Sequence, residues 1–178
     1  MSKTALLVID VQQAMCAGDD AAFDIDRVID RINALGARAR AAGAPVLLVQ
    51  HEADDGPLRF GTDGWQLAAR LATRPEDLRV RKRTTDSFHQ TDLLALLQAR
   101  DVTDLVVCGL QSEYCVDSTV RRALSLGYQV VLVTDAHSTM DNPVLPAAQI
   151  TAHQNATLAN LSSEGRRVTP ALAGDVRI

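Results

Sequence analysis

Four apolar runs of strand length stand out along the chain: ALLVI at 5–9, PVLLVQ at 45–50, DLVVCG at 104–109 and QVVLVT at 129–134. None alternates with polar residues, so each reads as a strand covered on both faces, the pattern of a parallel sheet. Between them the apolar period lengthens. Ile25, Val28, Ile29, Ile32 and Leu35 predict a helix over 24–42 that stops at Gly43. Leu93, Leu94, Leu96 and Leu97 predict one over 91–100 with Thr91 as N-cap, and a third is expected over 115–126, closed by Gly127 in a left-handed C-terminal turn. Shorter signals point to helices near 63–72 and 146–160 and to strands near 78–82 and 166–169. This alternation predicts an α/β fold: an open, mostly parallel six-stranded sheet with helices on both faces, in one domain spanning 1–178.

Composition narrows the function. A formal charge of −4 and scarce aromatics argue against a nucleic-acid surface; the one basic run, RVRKRTT at 79–85, has no interleaved aromatic residues. The N-terminus meets an acid after five apolar residues, unlike a signal peptide, and no apolar run approaches the ~20 residues of a membrane helix. A soluble, cytoplasmic protein without nucleic-acid or membrane partners is the expectation. Cys16, Cys108 and Cys115 are odd in number and lack CxxC spacing, which disfavours a disulfide framework or zinc site. The histidines (His51, His89, His137, His153) show no HxH or HxxxH spacing, so neither metal nor cofactor is expected.

In open α/β sheets ligands bind beyond the carboxyl ends of the strands, which directs attention to the residues just after them. Asp10 follows the first strand: a solvated cap, or a general base. Lys82 alternates with Val80 in the 78–82 strand, which turns it to the packed face, where a buried ammonium needs an acidic partner. Cys115 opens the helix after the 104–109 strand. As a core thiol it would be inert; in a first helical turn, unpaired N–H groups and the helix dipole would favour thiolate. Cys108, mid-strand, reads as packing. Ser112 is not expected to be the nucleophile, because GLQSE is not GxSxG and no histidine pairs with it by sequence. His51, Phe60, Trp65 and Tyr114 are candidate substrate-pocket liners.

These residues make the chain resemble the isochorismatase-like cysteine hydrolases, a family of nicotinamidases, N-carbamoylsarcosine amidohydrolases and isochorismatases. The resemblance runs through ALLVIDVQ (5–12), VRKRTTDSFHQTDLLALL (80–97) and LVVCGLQSEYCVDSTVRRALSLGYQVVLVTDA (105–136). It implies Asp10, Lys82 and Cys115 as a catalytic triad, Lys82 being placed six residues before Phe88 of DSFHQTDL. It also implies a cis peptide between Leu110 and Gln111, which aims the Gln111 N–H beside that of Cys115 as an oxyanion hole. The family commonly forms dimers or tetramers, so a homo-oligomer is expected. Two departures matter. The usual TDYC reads SEYC here, with Glu113 for the acid, and the second strand is followed by one histidine instead of the metal-binding D.H....H pattern of nicotinamidases. True isochorismatases lack the cysteine, so Cys115 favours acyl transfer. The expected activity is amidohydrolysis: cleavage of a small molecule's amide, carbamoyl or lactam C–N bond through a thioester. The alternatives are a non-covalent ether or ester hydrolase, and a non-catalytic binding protein of the same fold.

Overall fold

The computed structural model describes residues 3–19 and 21–178. In chain order the elements are β1 (Thr4–Ile9), α1 (Gln13–Cys16), α2 (Ile25–Ala41), β2 (Val46–His51), β3 (Leu78–Lys82), α3 (Leu93–Gln98), β4 (Asp104–Leu110), a π-helical turn (Ser112–Val116), α4 (Asp117–Ser125), β5 (Gln129–Ser138), α5 (Ala147–Ala159), β6 (Ser162–Ser163) and β7 (Arg166–Ala171). The sheet runs β3-β2-β1-β4-β5-β7-β6, parallel throughout except for the antiparallel β6–β7 pair. It therefore has seven strands where six are expected. The addition is two-residue β6, too short to leave an apolar signature. Among the described residues no helix is long and apolar enough to cross a membrane.

Side-chain alternation along β1 builds two cores. Ala5, Leu7 and Ile9 pack with Leu93, Leu97, Val120 and Leu158 of α3, α4 and α5. Leu6 and Val8 pack on the other side with Val28, Ile29, Ile32 and Leu35 of α2. Each such fully buried side chain contributes ~1.5–3 kcal/mol, so both faces of the sheet are anchored independently. Helix α4 ends as anticipated: Gly127 takes φ +88° and the Tyr128 N–H donates to Ala123 O at 3.1 Å.

Three local expectations change. No helix forms over 63–72. The backbone there is committed to the segment after β1 instead: Gln13 N–H donates to Gln66 O, Ala14 N–H to Gly64 O, and Ala68 N–H to Val11 O. Gly64 permits the approach, since a Cβ there would lie 3.0 Å from Ala14 Cβ and 2.5 Å from Pro57 O. Second, β5 continues four residues past the expected end at 134, so Asp135 and His137 belong to a strand, not a loop. A register shift between Val107 and Gly109 lets the extension pair, with Gly109 opposite His137 and Leu110 opposite Ser138. Third, Cys115 is the fourth residue of the π-helical turn, not the start of an α-helix.

The first crossovers build outward from β1 to β2 and β3; the chain then returns to β4 on the other side. Strand order reverses between β1 and β4, and the crevice beyond that reversal is where Asp10 and Cys115 emerge.

Candidate active site

Asp10 leaves β1 with φ +51°, a left-handed conformation that costs most L-residues ~1–2 kcal/mol and that Asp tolerates better than most. Its N–H donates to Val49 O at 3.0 Å, and the kink turns the carboxylate along the sheet edge. On β3, Val80 and Lys82 are buried and Arg79 and Arg81 exposed, as the alternation requires. Lys82 is thus carried beneath β2 toward Asp10, and their side chains are 0% and 1% exposed.

Lys82 Nζ lies 2.6 Å from Asp10 Oδ2 and donates to Cys115 Sγ at 3.1 Å and to Thr84 O at 3.1 Å. His51 Nδ1 stands 3.2 Å from the same nitrogen. Four acceptors surround an ammonium with three hydrogens, so one of them goes without at any moment. Asp10, His51 and Cys115 offer ligand atoms within 4.8 Å of one another, and the Lys82 ammonium already lies among them as the cation. Burial and then Lys82 lower the His51 pKa, which keeps its ring neutral at pH 7 and its Nδ1 able to accept.

Burial, followed by the Asp10 charge, pushes the Cys115 thiol up to about 12 against the opposing pull of Lys82. Desolvation outweighs the neighbouring ammonium, which keeps the sulfur protonated at rest. Asp10 Oδ1 is buried without a formed hydrogen bond. An Asp10 carboxylate oxygen lies within 4.8 Å of Cys115 Sγ, close enough for the carboxylate to raise the thiol's pKa.

These groups open onto a cleft of ≈270 Å³ lined by Asp10, Met15, His51, Leu58, Thr85, Gln111, Tyr114 and Cys115. The Leu110–Gln111 peptide is cis. Gln111 O accepts from Tyr114 N–H at 3.2 Å and Val116 N–H at 3.1 Å, which folds the turn back beneath Cys115. A larger cavity of ≈550 Å³ lies at the opposite end of the strands, between Lys3, Ala44 and Arg100, and has no cysteine or histidine in its lining.

Of the four expected liners, His51 and half-exposed Tyr114 reach the cleft. Phe60 and Trp65 do not line it. Their rings meet edge-on at 4.7 Å and Phe60 is capped by the Arg81 guanidinium at 3.9 Å, so cation–π and aromatic contacts hold them over the outer face of β3. Met15, Leu58 and Thr85 were missed, because a loop's contribution to a cleft has no periodic signal. Gln12 was missed as well. Fully buried, it accepts from His51 N–H at 2.8 Å and donates to His51 O at 3.0 Å and Trp65 O at 2.8 Å, pinning the end of β2. A polar residue immediately after a buried strand was the available clue. Ser112 does have a histidine partner, His137, but both are buried and neither lines the cleft. Glu113 accepts a hydrogen bond from Thr139 Oγ1 at 2.9 Å, and His89 and His153 stand outside the cleft.

Residues 4–171 match the isochorismatase domain. The chain is 47% identical over 143 residues to a streptothricin hydrolase of Streptomyces noursei, covering 80% of this chain and 52% of that protein. It thus spans about half the length of that relative. It is 30% identical over 172 residues to a ureidoacrylate amidohydrolase of Stutzerimonas stutzeri, covering 76% of this chain and 69% of the other. A crystal structure of an isochorismatase family protein superposes with a TM-score of 0.86 at 39% identity, covering 94% of this chain and 97% of that one.

Proposed function

Because the chain belongs to the isochorismatase family, we propose that it hydrolyses an amide-type C–N bond of a small molecule through a thioester on Cys115. One observation carries this: a single buried ammonium bridges a carboxylate at 2.6 Å and a thiol at 3.1 Å at the base of a cleft. The resemblance to a streptothricin hydrolase and to a ureidoacrylate amidohydrolase supports this reading.

The resting thiol is protonated, so attack needs a base, and the Asp10 carboxylate, with one oxygen unpartnered and one within 4.8 Å of the sulfur, is the base at hand. As sulfur bonds to the substrate carbonyl carbon, its proton passes to Asp10 and the carbonyl π pair moves to oxygen. The N–H groups of Gln111 and Cys115 receive that oxyanion. Lys82 stabilises the carboxylate before transfer and the sulfur during it. The tetrahedral intermediate collapses with cleavage of the C–N bond, and Asp10 returns its proton to the leaving nitrogen. Water, deprotonated by Asp10, then attacks the thioester; the acid leaves and the thiol regains its proton. His51 and Tyr114 flank the path by which substrate meets the sulfur.

Release of ammonia or carboxylic acid from streptothricin, primary amides, carbamoyl compounds and lactams identifies the substrate. With it, intact-mass measurement after rapid quenching should show an acyl adduct on Cys115, and Cys115→Ala should lose turnover by at least ~1000-fold. A Cys115→Ala protein that keeps substantial activity on any compound the native protein cleaves would leave the non-covalent alternative standing.

A further inference from the structure

Behind the cysteine turn lies a second polar cluster that the proposed mechanism does not use. Ser112 is fully buried and His137 is 2% exposed. Ser112 Oγ sits 2.8 Å from His137 Nδ1 and 3.3 Å from Thr151 Oγ1; His137 Nε2 sits 2.8 Å from Asn155 Oδ1; and Asn155 Nδ2 donates to Thr134 O at 3.0 Å. The direction of each hydrogen bond follows from the last. A backbone carbonyl only accepts, so the Asn155 NH₂ must face Thr134 and its carbonyl must face His137. His137 Nε2 is then the donor. Burial, the largest influence, lowers the His137 pKa against the opposing effects of Asn155 and Asp135, so the ring is neutral and Nδ1 carries no proton. Ser112 O–H accordingly donates to Nδ1, and Thr151 O–H donates to Ser112 Oγ.

We propose that His137 is a positioning residue: held as the Nε2–H tautomer by Asn155, it locks Ser112 and thereby the turn that carries Gln111 and Cys115. The proposal rests on the reading of that turn as the reactive element. The relay ties three separate elements together, because Ser112 starts the turn, His137 and Thr134 lie on β5, and Thr151 and Asn155 lie on α5. Its atoms are neutral and mutually satisfied, so it holds geometry without competing for charge with Lys82. Ser112 lies three residues before the sulfur. Loosening it would change the spacing of Cys115 from Lys82 and Asp10, on which the thiol's acidity depends.

Two measurements that need no substrate test this, so their outcome is independent of the proposed reaction. In nitrogen-15 NMR of the native protein, His137 should show a bare Nδ1 and a protonated Nε2 at neutral pH. Protonation at Nδ1 instead would overturn the assignment without any variant. Second, carboxamidomethylation of Cys115 by iodoacetamide, followed by mass across alkaline pH, reads the thiol. Ser112→Ala should shift that pH profile enough to change the rate at pH 9 by about threefold or more, equivalent to half a pKa unit. Ser112→Thr, which keeps the hydroxyl, should restore it. A native alkylation profile in folded Ser112→Ala would reduce the relay to packing and overturn the positioning role.

Discussion

Two polar clusters lie on either side of the cysteine turn, and they are built on opposite principles. Around Lys82 the ammonium and the Asp10 carboxylate are charged, the acceptors outnumber the hydrogens, one carboxylate oxygen is left unpartnered, and Asp10, His51 and Cys115 open to a cleft. Around His137 the groups are neutral, donors and acceptors match, and Ser112 and His137 are buried away from that cleft. An unsatisfied charged cluster is costly unless its groups acquire partners during a reaction; a satisfied neutral one stiffens what it touches. The difference separates reacting groups from holding groups more sharply than any residue type does, since each cluster has its own histidine.

Replacing Lys82 should break the first cluster most severely. Lys82→Met leaves the Asp10 carboxylate buried and alone, a loss of ~3–5 kcal/mol in stability, with turnover falling at least ~100-fold. Urea denaturation and steady-state kinetics measure the two effects, and a variant with near-native kinetics would remove Lys82 from the reacting groups. Gly109→Ala should strike both clusters at once. Gly109 pairs with Ile9 on one side and His137 on the other at φ +117°, and a Cβ would land on Ile9 O and lie 2.6 Å from Ile9 N. A loss of ~3 kcal/mol is expected, lowering Tm by ~6–12 °C in calorimetry.

The next effect separates the clusters by pH. The folded pKa of His137 lies below the ordinary 6.5, so its contribution is fully present above that value. It is lost as pH falls below 6.5, because the unfolded chain then binds a proton that the folded one refuses; each such group steepens the decline by at most ~1.4 kcal/mol per pH unit. Denaturation at pH 7.5 and 5.5 should show this, with a smaller decline in His137→Gln. The Cys115 thiol acts at the other end. Its folded pKa of about 12 exceeds the ordinary 9.0, so the unfolded chain ionises first and stability falls as pH rises from 9 toward 12. Cys115→Ala should flatten part of that alkaline decline. A control lies outside both clusters and should have the smallest effect on the site: Asp77→Ala cuts the Arg40 pair, with Oδ2 at 2.7 Å from Nη2, and should cost ~1–3 kcal/mol of stability while leaving Cys115 alkylation unchanged.

Much of this was legible beforehand. Apolar runs buried on both faces marked β1, β2, β4 and most of β5, and the Val80–Lys82 alternation placed the lysine inward. The resemblance pointed to Asp10, Lys82 and Cys115, whose side chains the fold does bring together. Phe60 and Trp65 fall outside the cleft, since aromatic type says nothing about which face a loop presents. His137 lies beyond the apolar signal of β5, and only the register shift against β4 makes it strand.

The chain's own order of residues determined most of the long elements, since helix and strand periodicity are local and need only neighbouring side chains to be read. It also determined which chemical groups stand at strand ends. Three-dimensional packing decided the rest: the protonated state of the sulfur, the surplus of acceptors at Lys82, and the histidine that meets Ser112 from 25 residues away. Those depend on burial and on strand register, quantities that exist only once distant segments have closed around one another.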